Sequence, residues 1–126
     1  MDFNGILEEI DEITTKLKKG WINNDIESQK EYLFYLSITK ARVNELKSIV
    51  DSFYLKDLQI FTNNCAKNLK QYEYKDQKEL ACSATLGLKS QVDNLSSTIQ
   101  QQTEAIRTII SLQKEELRLT NSGVGI

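Results

Sequence analysis

An all-α fold is expected from this sequence: three long amphipathic helices, or four if the second one breaks, packed as an extended antiparallel bundle or coiled coil. Three observations point there. Proline, which removes a backbone donor and clashes with the preceding turn, is absent from all 126 residues. Apolar residues recur at spacings of three and four, while strand-like alternation never persists. No glycine occurs between Gly20 and Gly87, so the residue that most readily takes a left-handed stop is missing from that stretch.

Helix one is expected over about residues 2–19. Phe3, Ile6, Ile10, Ile13 and Leu17 form one stripe, which Leu7 broadens. Glu8, Glu9, Asp11 and Glu12 precede Lys16, Lys18 and Lys19, the order that the helix dipole favours, and Gly20 can end the helix. The acids lie opposite the apolar stripe and read as a solvated face. Trp21 and Ile22 follow the stop, where an apolar residue commonly folds back as a staple.

Helix two is expected over about 25–74. Asn23-Asn24-Asp25 supplies a turn and an N-cap, with Glu27 three residues after Asn24 in capping-box spacing. The stripe then runs through Leu33, Leu36, Val43, Leu46, Val50, Phe53 or Tyr54, Leu58, Phe61, Cys65 and Leu69. An unbroken helix of that span would be about 75 Å long at about 1.5 Å per residue. Asp51-Ser52 and Thr62-Asn63-Asn64 are its weakest points, because these side chains compete for backbone hydrogen bonds.

Tyr74-Lys75-Asp76 reads as the next turn, with Asp76 and Glu79 repeating the cap-plus-three pattern, and helix three is expected over about 77–119. Its apolar positions are Ala81, Ala84, Leu88, Val92, Leu95, Ile99, Ile106 and Ile109, continuing to Leu112 or Leu117, with a stutter between Leu88 and Val92. Gly87 inside this run predicts local weakness or a close helix crossing. Residues 1–119 thus form one helical-bundle domain, and 120–126 form a flexible tail without periodicity.

Several function classes lose support on chemistry. Catalysis near neutral pH most often uses histidine, and this chain has none, so it is not expected to be an enzyme. The same lack removes the Glu-x-x-His pairs of a carboxylate di-metal bundle, and the glycines form no phosphate-binding loop, so no metal or cofactor is expected. Cys65 and Cys82 form no CxxC pair and read as small apolar residues in reduced form. A formal net charge of −2 offers no basic field. Lys67, Lys70, Lys75 and Lys78 with Tyr72 and Tyr74 have the interleaving of a nucleic-acid binder, but Glu73, Asp76 and Glu79 cancel most of that charge. No apolar run is long enough for a membrane span, the first residues lack the pattern of a secretory signal, and a cytoplasmic protein is expected.

Two stretches stand out as interaction candidates. Tyr32-Leu33-Phe34-Tyr35-Leu36, followed by Ile38, is apolar or aromatic around the whole helix, so it must be surrounded by its own chain or by another one. In helix three, placing Val92 and Ile99 at a and Leu95 at d puts Gln102 at d, Ile106 at a, Ile109 at d and Gln113 at a. A glutamine in such a seam weakens the pairing while fixing register and partner number; in the alternative, a seam within the chain, Gln102 merely reaches solvent. The expected interface is therefore Tyr32, Phe34 and Tyr35 with Val92, Leu95, Ile99, Gln102, Ile106 and Ile109. The function expected is a structural or adaptor subunit that binds helical proteins or itself. The alternative is a small monomeric regulator or inhibitor, of the kind viruses and mobile elements encode, pressing its acidic face onto a target protein.

Overall fold

The computed structural model describes residues 2–20, 25–64 and 71–121, apart from the side chains of residues 71 and 72. These residues form four helices, α1 (Phe3–Lys19), α2 (Ile26–Asn64), α3 (Gln71–Ala81) and α4 (Ser83–Asn121), with no strand among them. The all-α bundle is thus observed, in its four-helix form.

Local chemistry sets both ends of α1 and the start of α2. The Asp2 carboxylate accepts the Gly5 N–H at 2.7 Å, and Gly20, at φ 59°, closes α1 by donating its N–H to the Lys16 carbonyl. α2 begins at Asp25, whose carboxylate accepts the Ser28 N–H at 2.7 Å and the Ser28 hydroxyl at 3.0 Å. The cap is therefore Asp25 with Ser28, one residue beyond the expected Asn24–Glu27 pair. Asn24, like Trp21, lies outside the described residues. The Ser28 N–H lowers the Asp25 pKa because it stabilises the ionised carboxylate.

α2 passes Asp51-Ser52 without a break, the Ser52 hydroxyl donating to the Ser48 carbonyl at 3.2 Å, and it ends at Thr62-Asn63-Asn64. Its 39 residues span about 58 Å at about 1.5 Å each. Cys65 and Leu69, the expected continuation of its stripe, lie outside the described residues. The turn expected at Tyr74-Lys75-Asp76 is instead interior to α3. Tyr74 packs there against Phe61 of α2, ring centroids 5.5 Å apart, and this contact outweighs the weak helix propensity of one aspartate. The irregularity falls later, at Cys82. Backbone bonding carries on across it, the Cys82 N–H donating to Lys78 at 3.0 Å and the Leu86 N–H to Cys82 at 2.9 Å.

Contacts between elements fix the topology. Asp57 meets Thr85, Asp51 meets Lys89 at 3.3 Å and Lys47 meets Asp93 at 3.9 Å, so α4 climbs as α2 descends. Glu9 meets Arg42 and Lys16 sits 4.3 Å over the Tyr35 ring, so α1 is antiparallel to α2 and parallel to α4. The core joins Ile6, Ile10 and Leu17 of α1, Leu36, Val43, Leu46 and Val50 of α2, and Leu88, Val92, Leu95, Ile99, Ile106 and Ile110 of α4.

The first turns of α4 depart from the expected stripe. Ala81 and Ala84 are exposed, and Cys82 and Thr85 take the buried positions. Thr85 tolerates burial because its hydroxyl donates to Asp57. At the other end Ile110 is buried and Ile109 only half-buried, because α4 packs on two helices and needs a wider stripe than a two-stranded seam. Leu112 and Leu117 are exposed. Gly87 makes no close crossing, since a Cβ built there meets nothing within 4 Å.

Truncating the fully buried Leu46 to alanine should cost about 2–5 kcal/mol in urea unfolding. Gly87→Ala should instead stabilise by about 0.5–1 kcal/mol, since it relieves the helix-propensity penalty without a clash. A destabilised Gly87→Ala protein would contradict the open surroundings described for this position.

Candidate interaction surface

The candidate residues divide into two groups. Val92, Leu95, Ile99 and Ile106 are at most 5% exposed and belong to the chain's own core. The α4 seam is therefore intramolecular, and these four have almost no surface left to offer another protein. Tyr32, Tyr35 and Ile109 are half-buried. Tyr32 and Tyr35 lie with ring centroids 5.7 Å apart and pack on the same core.

Gln102 is a pin between three helices. Its side-chain NH2 donates at 2.9 Å to the carbonyl of Leu17, and its side-chain oxygen accepts the Tyr32 hydroxyl. Leu17 stands in the last turn of α1, where carbonyls lack intrahelical donors, so α4 supplies a donor that α1 needs. For a seam within one chain Gln102 was expected to reach solvent, and it instead bridges α1 and α2. Burial raises the Tyr32 pKa, with a further push from Tyr35. Two turns after Tyr35, on the same α1-facing side of α2, Arg42 grips Glu9 with two hydrogen bonds, at 2.7 and 2.9 Å, and also reaches Glu45 at 2.7 Å. Glu9 thus leaves the solvated acidic face expected for helix one, and these two carboxylates raise the Arg42 pKa further.

Large apolar side chains stay exposed on several helices, among them Leu55 and Ile60 of α2, Leu80 of α3 and Leu112 and Leu117 of α4; two of the exposed set stand one turn apart on the outer face of α2. Phe34 is 68% exposed and Ile38 is 56% exposed. At about 100° per residue, Phe34 points opposite Val43, directly away from α1 and α4, and Ile38 and Ala41 continue its stripe. The sequence marked the girdle as needing company on all sides; two helices of the same chain cover most of it and leave this face. Ile38 completes the patch although it stood outside the expected interface, and its four-residue spacing from Phe34 was the available signal.

A groove of about 870 Å³ also runs between α1 and α4. Its floor is Ile10, Leu17 and Leu95, each at most 5% exposed, and its walls carry Glu8, Asp11, Gln91 and Asn94. Half-buried Leu7 also lines it, so the surface that the groove leaves open is more apolar than polar. Among the described residues no group of three or more potential ligands could hold a metal ion, and no helix is long and apolar enough to cross a membrane.

Comparison with known proteins yields no match to a family model, to a curated protein or to a solved structure.

Because the folded pKa of Tyr32 is raised, its contribution to stability is present in full below its ordinary value of 10.0 and is lost as pH rises through the higher folded value. Thermal melts from neutral to alkaline pH should therefore fall off above that point. Tyr32→Phe should lower stability by about 1 kcal/mol at neutral pH and flatten the alkaline loss relative to the parent. Equal alkaline slopes in the two proteins would remove Tyr32 from this role.

Proposed function

We propose that this protein is a non-enzymatic helical interaction module, a structural or adaptor subunit that binds another helix through the outer face of α2. One observation carries the reading: Phe34 and Ile38, large apolar side chains one turn apart, stand exposed on the side of α2 turned away from the core. An apolar stripe on an otherwise polar helix face is the pattern by which helices recognise one another, since covering it removes apolar surface from water. The interface moves accordingly, away from Val92, Leu95, Ile99 and Ile106 and onto Phe34 and Ile38, with Tyr32 and Tyr35 supporting the helix from beneath.

A reducing, cytoplasmic setting suits the buried free thiol of Cys82. The second reading is a monomeric regulator or inhibitor of a target protein. It draws support from the core closed within one chain, which supplies the binding face with a scaffold that needs no other subunit.

The test replaces Phe34 with photoreactive p-benzoylphenylalanine in the cells that make the protein, with the same replacement at exposed Ser97 of α4 as control. A discrete adduct at position 34, mapping by mass spectrometry to the apolar face of a helix, is expected. Adducts no stronger than those at position 97 would overturn the reading.

A further inference from the structure

Building on that reading of the α2 face, we infer that its occupant is a second copy of the same face, laid antiparallel so that two α2 helices cross near Ile38. The stripe Phe34, Ile38 and Ala41 places a large, a medium and a small side chain in series on one exposed face. A two-fold axis beside Ile38 runs the second helix in the opposite direction and brings Phe34 to the level of the second copy's Ala41. Large then meets small at both ends, and the two isoleucines meet in the middle. Packing of this kind is self-complementary, as a two-fold interface requires.

The flanking charges agree with that direction. Lys30, whose side chain is 49% exposed, comes to the level of the second copy's Glu45, whose carboxylate is 65% exposed, and the symmetry makes this pair twice. Glu31 comes level with the second copy's uncharged Asn44, so the charge argument rests on Lys30 and Glu45. The parallel, in-register arrangement would instead place Lys30 on Lys30, Glu45 on Glu45 and Phe34 on Phe34, stacking like charges and equal volumes. Lys30 is engaged within the chain only loosely, at 3.9 Å from exposed Glu27, so little is lost when it turns outward. The patch covers a few turns of a single helix, which places the dimer among small, weak interfaces.

Sedimentation equilibrium on the full chain from about 1 to about 300 µM should show monomers converting to dimers, with a dissociation constant on the order of 10–100 µM. Ile38→Glu brings two carboxylates together at the axis and should weaken association at least roughly a hundredfold. Lys30→Glu should weaken it roughly fivefold, and adding Glu45→Lys should return it to within about twofold of the parent. These side chains are exposed, so helical circular dichroism should be unaltered in every variant and serves as the folding control. A parent that stays monomeric throughout, a dimer indifferent to Ile38→Glu, or a double variant no tighter than Lys30→Glu would each overturn the inference. An adduct from position 34 to a different protein, together with a monomeric parent, would reject the second copy while leaving the wider reading intact.

Discussion

The structure depends on the antiparallel pairing of α2 and α4. Each is 39 residues long, and together they carry ten of the thirteen side chains of the core cluster formed by the described residues. Isolated helices of ordinary composition are marginal in water, so both rely on the shared apolar seam from Leu88 and Val50 at one end to Ile110 and Leu36 at the other. α1 adds Ile6, Ile10 and Leu17 along one side of this pair and turns a two-helix ribbon into a bundle.

Apolar side chains alone would tolerate several registers, so the polar contacts matter more for uniqueness than for energy. Thr85 with Asp57, Lys89 with Asp51 and Lys47 with Asp93 step along the α2–α4 pair in one register only. Lys89 adds a cation–π contact 4.6 Å above the Tyr54 ring. The ion pairs are largely exposed and individually weak, yet sliding α4 by one turn would separate them all. Gln102 and Arg42 do the equivalent work for α1, one tying its last turn to α4 and the other its middle to α2. Gln29 is a cost in the same scheme, since its side-chain oxygen is buried without a hydrogen-bond partner among the described residues.

This economy explains the outer face of α2. A helix apolar on every side needs neighbours around its whole circumference, and α1 and α4 leave its outer face uncovered. Tyr32, Leu36, Val43 and Leu46 take the inner positions, Leu33 and Tyr35 take the flanks, and Phe34 with Ile38 stays on the outside. The surplus therefore follows from a bundle with one helix too few to enclose its most apolar member. The α1–α4 groove is roomy, lined by sheltered Ile10, Leu17 and Leu95 and by half-buried Leu7.

Helix class, the bounds of α1 and the core stripe of α2 were legible in the sequence, because periodicity, capping residues and glycine act over a few neighbours. Gln102 stood out as the polar member of the α4 seam, but its bridge to Leu17 and Tyr32 depended on where α1 and α2 lie. Other features depended on contacts between distant segments. Tyr74 is helical because Phe61 lies beside it, Thr85 is buried because Asp57 accepts its proton, and Glu9 leaves the solvated face because Arg42 reaches it. Whether the α4 seam faces inward or toward another protein was undecidable from spacing, since both arrangements present the same heptads. Tertiary structure settled it by placing α1 and α2 over that seam and leaving Phe34 and Ile38 outside, a choice made by the competition of faces for a limited number of neighbours.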